Sequence, residues 1–308
     1  MATAPHPVNP ELVAIAVAYK NPMGIADRVL PRVPVGLQEF KYNSWPLAES
    51  FAIPDDSVGR KSMPNQVDLS ATESLSKTED HALDDYIPQA DIDNASGRYD
   101  PKARAVVQIE DYIQINREKR VADLVFTAAN YPAANKVTLS GTSQWSDPAS
   151  TPIANIMTGI DACLMRPNVM VIGRAAYTKL AQHADILKAV NRSSGDKGVA
   201  ARQAIADMFE LEEVLVGEGQ MNTAKKGQAA VISRIWGKHA LLFYRNLVAD
   251  TQGGLTFGFT AEFGGKVAWD AFDAKVGMKG SWQVRNGESV KELIVANQAA
   301  YFIESAVA

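Results

Sequence analysis

The sequence of 308 residues contains one cysteine and four histidines. With Cys163 alone, the chain can form neither an intrachain disulfide nor a cysteine-based metal site, and its composition fits a reducing cytosol. The histidines, His6, His81, His183 and His239, lie far apart and outside HExxH, HxH and nucleophile–base patterns. We therefore predict no catalytic or metal-binding centre built on these residue types.

Phosphate-binding loops and long apolar runs are also missing. The sequence contains neither GxGxxG nor GxxxxGK[ST], and the nucleophile motif GxSxG is absent. No stretch approaches the ~20 consecutive apolar residues of a membrane helix, and the first residues lack the basic region of a secretory leader. No cluster of Lys and Arg alternates with aromatic residues, so sequence-specific nucleic-acid binding is not predicted. The expected class is a soluble protein.

Charge is divided unevenly along the chain. Residues 1–100 hold 8 basic and 15 acidic side chains, a net of −7, whereas residues 101–308 hold 23 and 20, a net of +3. Such asymmetry can direct one part of a chain onto another part of a neighbouring copy. A solvated acidic face is the plainer alternative.

The first hundred residues lack the pattern of a globular domain. Six prolines interrupt residues 1–34, which predicts an extended arm with one or two helical turns. Strand-like runs at 37–45 and 67–75 flank a segment of turn-forming residues and predict a long hairpin. Because a two-stranded ribbon is marginally stable alone, the hairpin implies a partner surface. We expect this third of the chain to serve a neighbouring copy rather than its own core.

A long helix follows the hairpin. Asp100 suits its N-cap and Pro101 its first turn, and apolar residues recur at helical spacing to about residue 129. The basic side chains of the helix include Arg104, Arg117, Lys119 and Arg120. They can meet phosphates or the acidic hairpin of another copy, and a solvated helix face is an equal alternative.

Residues 151–250 alternate between helix and strand patterns, which predicts a small mixed sheet with covered faces. The predicted helices span 152–165, 174–190 and 199–209, and the predicted strands span 169–172, 213–216, 228–232 and 240–244. Cys163 lies on the apolar side of the first helix, where a thiol acts as a small core residue. From residue 253 onward the pattern is β again.

Two acidic pairs lie in the hairpin region, Asp55-Asp56 and Asp84-Asp85. Such pairs can bind a cation or act as acid and base, but adjacent loop side chains usually point apart, so solvated surface is favoured. We predict no catalytic, cofactor-binding or metal-binding residue. The candidate subunit-interface residues are Asp55, Asp56, Arg60, Lys61, Arg104, Arg117, Lys119 and Arg120.

This order of arm, hairpin, long helix, α/β unit and further strands resembles the major capsid protein of tailed double-stranded DNA bacteriophages, the Hong Kong 97-type fold. The resemblance covers most of the chain and is sharpest between residues 145 and 246. There the runs WSDPASTPIANIMTGIDACLMRPNVMVIGRAAYTKLAQHADI, AIADMFELEEVLVGEGQMNTAKKG and IWGKHALLFYRN look like capsid proteins of transposable, Mu-like siphophages. These motifs are structural rather than catalytic.

The resemblance implies an α+β fold in five parts. These are an N-arm (1–34), an extended E-loop hairpin (35–88), a peripheral domain with a long spine helix (89–150), an axial α/β domain (151–250), and peripheral-domain strands with a return strand to the axial domain (251–308). It also implies a non-enzymatic structural subunit. Hexamers and pentamers of it would form an icosahedral head that encloses double-stranded DNA without sequence-specific binding.

Partners and location follow from the same resemblance. Besides other copies of the chain, we expect a scaffolding protein, a portal and decoration or minor capsid proteins, with no membrane and no cofactor. Assembly in the host cytoplasm would place the subunit in the virion. Because no scaffolding segment precedes the arm, we expect a separate scaffolding protein, no proteolytic cleavage and noncovalent locking. Two alternatives stay open: an encapsulin-type nanocompartment shell, which shares this fold, and a hydrolase built on residues 151–250.

Overall fold

A computed structural model of the chain describes residues 8–18, 24–44, 53–66, 72–95, 99–191, 198–225, 227–251 and 253–308. The helices in these ranges are α1 (Pro10–Ala18), α2 (Ala26–Val29), α3 (Gln89–Asp93), α4 (Pro101–Val125), α5 (Pro152–Ala162), α6 (Arg174–Gln182), α7 (Ala184–Asn191) and α8 (Arg202–Met208). The strands are β1 (Arg32–Val35), β2 (Glu39–Ser44), β3 (Thr72–Lys77), β4 (Glu79–Pro88), β5 (Lys136–Thr138), β6 (Val169–Gly173), β7 (Glu213–Gly217), β8 (Gln220–Asn222), β9 (Ile232–Arg234), β10 (Ala240–Phe243), β11 (Gly258–Asp273), β12 (Ser281–Ile294) and β13 (Ala300–Glu304). This mixture of helix and sheet confirms the predicted α+β class.

Two sheets organise the fold. One has four strands in the order β1, β11, β12, β4, and the other has five in the order β5, β13, β10, β6, β7. The pairs β2–β3 and β8–β9 form separate two-stranded ribbons. After β12, the chain leaves the four-stranded sheet and returns through β13, which pairs antiparallel with β10 in the five-stranded sheet.

The five-stranded sheet is covered on both faces. Strand β6 is buried at every position, as expected for a strand between two packed layers. Met170 and Ile172 face a cluster that includes side chains from α5 to α8, whereas Val169 and Val171 face a second cluster with α2 and the end of α4. The second cluster therefore joins the five-stranded sheet to α2 and α4.

Helix α4 ends at Val125, one turn before the predicted end at residue 129. Its start is as expected, because the Asp100 side chain accepts the Lys102 N–H at 2.8 Å. At the other end the Asn130 amide donates to the Leu124 carbonyl and the Tyr131 hydroxyl to the Val125 carbonyl, each at 2.7 Å. These side chains satisfy carbonyls that a further helical turn would have used.

Within residues 151–250, several predicted boundaries differ from the structure. The predicted helix 174–190 is interrupted by the extended residue His183, which separates α6 from α7. The predicted strand 228–232 is wrong, since β9 begins at Ile232 and pairs with β8 outside the five-stranded sheet. Val231 and Ile232 are exposed there, so their apolar side chains do not belong to a core strand. The helices predicted at 152–165 and 199–209 are shorter, as α5 and α8.

The N-terminal segment contributes to the chain's own core, contrary to the sequence-based expectation. Leu12 and Ala16 of α1 are buried against α4 and the four-stranded sheet. Val29 and Leu30 are buried in the second cluster, between α4 and the five-stranded sheet. Pro10 does not interrupt α1 because it stands at the first helical position, where the missing N–H has no partner to lose.

The hairpin ends earlier than its predicted segment, 35–88. Strands β2 and β3 pair antiparallel from Glu39 opposite Lys77; the predicted strand residues 45 and 67–71 lie outside the described residues. At the base of the hairpin the Thr78 N–H donates to the Gln38 carbonyl at 2.9 Å. From the next residue the backbone pairs with β12 instead, so residues 79–88 belong to the four-stranded sheet.

A β-bulge in β11 precedes a lysine that connects the four-stranded sheet to α1 and α4. The register with β12 shifts at Gly264 and Gly265, whose φ angles of +70° and +72° favour glycine. The ammonium of Lys266, which follows them, contacts the Glu110 carboxylate of α4 and the Ala16 carbonyl of α1. One side chain thus holds both helices on the sheet.

His239 links the start of β10 to the turn after β13. Its Nδ1 accepts the Ser305 N–H at 3.0 Å, and its ring lies 5.4 Å from the Phe126 ring and 5.6 Å from the Phe302 ring, between centroids. Burial lowers the pKa of His239. A histidine whose pKa is lower in the folded state supports the fold above its unfolded pKa of ~6.5, and that support is lost as the pH falls toward the folded pKa.

We expect the free energy of unfolding to fall between about pH 7.5 and about pH 5, and His239 to cause part of that loss. Asparagine can accept the Ser305 N–H but does not titrate, so H239N should lose less stability over the same interval. Urea unfolding of the wild type and H239N, at about pH 7.5 and at about pH 5, measures the change in unfolding free energy for each. His81, whose pKa is also lowered by burial and by Arg120, is the same in both chains. Equal pH dependence of the two chains would contradict this role for His239.

Candidate subunit interface

The hairpin tip, residues 53–66, is exposed at every position. Its shape depends on local hydrogen bonds: Asp55 accepts from the Ser57 hydroxyl at 2.6 Å and the Ser57 N–H at 3.0 Å, and the Asn65 amide donates to the Asp55 carbonyl at 2.9 Å. The bonds from Ser57 lower the pKa of the Asp55 carboxyl. The tip therefore has an ordered local structure without burying a side chain in its own subunit.

Large apolar side chains on the tip face solvent, whereas the base of the hairpin is anchored. Ile53 is 99% exposed and Met63 is 92% exposed. At the base, Phe40 and Tyr42 pack with Phe259 of β11. Burying Ile53 and Met63 on another surface would be favourable, at about 25 cal/mol per Å² of apolar area. The tip thus has the properties of a contact surface and the base those of a fixed support.

Arg117, one of the predicted interface residues, lies inside its own subunit. It is 2% exposed, and its guanidinium contacts the Asp27 carboxylate and donates to the Thr260 hydroxyl at 3.1 Å. Burial opposes the ionisation of Asp27, yet Arg117 and Arg32 hold its pKa below the ordinary value. Arg117 therefore fastens α4 to α2 and β11, and it is not a surface charge.

The other basic residues of α4 also have partners within the chain. Arg120 donates to Glu292 at 3.1 and 3.0 Å, Lys119 pairs with Asp123, and Arg104 donates to the Tyr99 hydroxyl at 2.9 Å. Arg104 is exposed and Lys119 is half-buried. Of the eight predicted interface residues, the four on the hairpin tip are exposed. Each of the four on α4 has a partner within the chain.

Sequence analysis missed an acidic groove between β4 and α4. Two adjoining cavities, of about 610 and 410 Å³, share Asp85, Ala105 and Gln108. We call this surface the β4–α4 groove; its walls include Leu83, Asp84, Asp85, Tyr86, Asp91, Tyr99, Arg104 and Tyr112. The predicted hairpin segment, 35–88, includes residues 79–88, which the structure places in β4 beside β12. The adjacent Tyr86 and Ile87, both residues that favour β-strands, predict a strand that ends at Pro88.

Ser150, His183 and Asp185 resemble a hydrolytic triad in composition but not in geometry. The Ser150 oxygen lies 3.2 Å from His183 Nε2 and donates to the Asp147 carbonyl at 2.8 Å. His183 Nδ1 accepts the backbone N–H of Asp185 at 3.3 Å, so this ring nitrogen carries no proton for the Asp185 carboxylate to orient. Ser150 and His183 are both buried. The arrangement stabilises the break between α6 and α7.

Cys163 lies beside the cluster that covers α5 to α8, and burial raises the pKa of its thiol to about 12. Its thiolate is therefore scarce at neutral pH, and the thiolate is the nucleophilic form. In the described part of the chain, no three His, Cys, Asp or Glu side chains cluster as metal ligands. None of the helices in the described ranges is long and apolar enough to cross a bilayer.

Comparison with known proteins agrees with this architecture. The family model for phage major capsid protein E matches residues 125–279. A major capsid protein from Pseudomonas phage JBD67 is 49% identical over 308 residues, which is 100% of both proteins. The chain belongs to the phage major capsid protein family. A major capsid protein from Burkholderia phage BcepMu is 29% identical over 244 residues, 77% of this chain and 76% of that protein.

Solved structures share the fold of this capsid subunit. The crystal structure of a phage-related protein from Bordetella bronchiseptica RB50 superposes with a TM-score of 0.79 at 22% identity, and covers 98% of this chain and 99% of that one. The predicted Hong Kong 97-type fold and the resemblance to Mu-like capsid proteins are confirmed. Copies of this subunit associate in a shell, and the subunit is a component of the virion. The family favours this role over the encapsulin alternative.

Proposed function

We propose that this capsid subunit assembles as hexamers and pentamers into an icosahedral head around double-stranded DNA. Assembly takes place in the host cytoplasm with a separate scaffolding protein and a portal, and the subunit has no enzymatic activity. The observation that supports this proposal is the hairpin tip, which exposes Ile53 and Met63 almost completely while the base of the hairpin is fixed. Such a projection is suited to contact a second copy of the chain.

The two sheets support a division into two structural units. In this proposal the four-stranded sheet and α4 form the peripheral domain, and the five-stranded sheet with α5 to α8 forms the axial domain. The extended E-loop is residues 39–77, because β4 pairs with β12. The N-arm is limited to the residues before β1, since β1 pairs with β11.

Within this division the contacts between subunits come from the hairpin tip. Asp55, Asp56, Arg60 and Lys61 are the contact residues on the projecting side. Arg104 and Lys119 are the helix residues that a neighbouring copy can reach most readily, because Arg117 is buried and the Arg120 side chain is less exposed than that of Lys119.

Deleting residues 46–66 is expected to leave folded subunits that assemble poorly. The described tip residues bury nothing in their own chain, so thermal stability should stay close to that of the wild type. Loss of the contact should lower the yield of closed particles by about tenfold or more, because the contact recurs in every copy of the subunit and the losses of binding free energy add up over the shell. Negative-stain microscopy and sedimentation velocity of the chain co-expressed with its scaffolding protein measure the yield.

A Gly–Ser segment of equal length in place of residues 46–66 is the matched control, because it keeps the length and removes the side chains. It should assemble as poorly as the deletion. Closed particles at the wild-type level from both variants would overturn the assignment of the hairpin. A wild-type chain that stays monomeric with its scaffolding protein would overturn the proposed assembly.

A further inference from the structure

We propose that Lys266 and Asn286 join covalently within one chain, through an isopeptide bond between their side chains. The carboxylate of Glu110 catalyses this single-turnover reaction of the chain on itself. The lysine amine displaces the amide nitrogen of Asn286, which leaves as an ammonium ion. The bond links β11 to β12 inside a single subunit, so it does not depend on the proposed function.

Lys266 and Asn286 lie on the face of the four-stranded sheet that α4 covers. Ala268 pairs with Asn286 across β11 and β12, and side chains two residues apart on a strand point to the same face. Ala268 and Val284 are buried in a cluster with residues of α1 and α4. Lys266 is therefore the diagonal neighbour of Asn286 on this face, at a spacing that a long side chain can bridge.

Glu110 holds the amine and the amide together. Its Oε2 accepts the Asn286 Nδ2–H at 2.8 Å, and its Oε1 contacts the Lys266 ammonium. The Gln114 amide donates to Oε1 at 3.0 Å, and the Ala16 carbonyl accepts from Lys266 Nζ at 3.2 Å. The nucleophile, the amide and a group that can carry a proton between them thus meet at one point, as nucleophilic catalysis requires.

The site is shielded from water. Asn286 is 0% exposed and Glu110 is 1% exposed, and the Lys266 side chain is 14% exposed. Transfer of a proton from the ammonium to the carboxylate replaces two poorly hydrated charges by two neutral groups, and it frees the lone pair of the amine. Exclusion of water also protects the new amide from hydrolysis.

The amide oxygen of Asn286 is a second, independent reason to place a reaction here. Oδ1 is buried, and none of the residues that the structure describes donates a hydrogen bond to it. A buried oxygen without a donor is destabilising in a resting structure. Once Glu110 holds the proton, a half-turn of the amide lets the carboxyl O–H donate to Oδ1, which polarises the carbonyl for attack.

The reaction balances without an oxidant or any other co-reactant. Glu110 takes a proton from the Lys266 ammonium, and the amine lone pair forms a bond to Cγ of Asn286 while the carbonyl π electrons move to Oδ1. As the carbonyl re-forms, the Cγ–Nδ2 bond breaks and Glu110 passes its proton to Nδ2. A second proton from Nζ follows through the same carboxylate. The products are a secondary amide and an ammonium ion, and Glu110 is again a carboxylate.

The mass of the intact chain tests for the bond. Loss of ammonia should leave most of the soluble wild-type chain about 17 Da below the mass calculated from its sequence, even after denaturation in guanidinium. K266R, whose guanidinium is not a nucleophile, and E110Q, which lacks the carboxylate, should have their full calculated masses. K291R is the matched control, because Lys291 lies on β12 but pairs with Glu79 at the surface, and it should keep the deficit.

A branched peptide distinguishes the isopeptide bond from another reaction of Asn286. Asn286 precedes Gly287, and cyclisation onto the backbone nitrogen of that glycine would also release ammonia. Trypsin does not cleave after an acylated lysine, so the digest of the wild type should contain residues 246–275 joined to residues 286–291. Tandem mass spectrometry of this peptide locates the bond.

Three results would overturn the inference. They are a soluble wild-type chain of full mass, a deficit that persists in K266R or E110Q, and a deficit without the branched peptide. Because the peptide is sought in the wild type, the test holds even where a variant is insoluble. Each measurement is made on the purified chain, so none of these results bears on whether subunits form particles.

Discussion

Replacing Gly173 by alanine is expected to lower the free energy of unfolding by roughly 3 kcal/mol or more, enough to leave much of the chain insoluble. A Cβ atom at this position would lie 2.1 Å from the Gly237 carbonyl oxygen and 2.5 Å from that of Trp236. Both are backbone atoms, so neither can turn aside as a flexible side chain does. The Gly173 N–H also donates to the His239 carbonyl at 3.0 Å, which holds the two segments together.

Gly36→Ala is the matched control for this substitution. No atom lies within 4 Å of a Cβ built on Gly36, so alanine there should change stability by less than about 0.5 kcal/mol. Soluble yield and guanidinium unfolding of G173A and G36A beside the wild type make the comparison. Equal unfolding midpoints for the three chains would show that the end of β6 can move away from the Trp236 and Gly237 carbonyls at little cost.

Removing the carboxylate of Glu118 is expected to cost about 3 kcal/mol of unfolding free energy. Its two oxygens accept the Ala26 N–H of α2 at 2.5 Å and the Trp236 indole N–H at 2.6 Å. Glu118→Ala leaves both buried donors without this acceptor. Because burial raises the pKa of Glu118, the substitution also removes a desolvation cost, so the net loss is smaller than two hydrogen bonds to a charged group would give.

Asp123→Ala on the same helix is the control for Glu118→Ala. Asp123 is exposed and pairs with Lys119 one turn away, a contact worth about 0.3–0.5 kcal/mol. Guanidinium unfolding followed by tryptophan fluorescence should show a much larger loss for E118A than for D123A. A loss of about 0.5 kcal/mol or less for E118A would mean that the Glu118 carboxylate adds little to the association of α2, α4 and Trp236.

The order of elements could be predicted from the sequence because most of the signals are local. Asp100-Pro101 marks the start of α4, and the apolar run at 169–172 marks a strand covered on both faces. The residues that resemble capsid proteins then gave the fold class and the family. Neither step requires knowledge of which distant residues meet.

The interface residues depended on distant partners, and there the sequence was a poor guide. In the sequence, Arg117 carries a charge that is typical of surface residues. Only the fold brings Asp27, 90 positions earlier, beside it. The polar residues of β4 are typical of a loop. The fold pairs this segment with β12, about 200 positions later in the chain, where Arg285 donates to Asp84. Charge counts over a segment cannot distinguish a paired carboxylate from a free one.

The long sequence separation of these pairings has a consequence for the timing of assembly. β1 pairs with β11, and β4 pairs with β12, so the four-stranded sheet cannot form until β11 and β12 have been synthesised. Pairings this distant in sequence make folding slow, because loop closure precedes the contacts that stabilise it. The hairpin between β2 and β3 is therefore synthesised well before the sheet that supports its base is complete. The subunit reaches its final fold only when nearly the whole chain has been made.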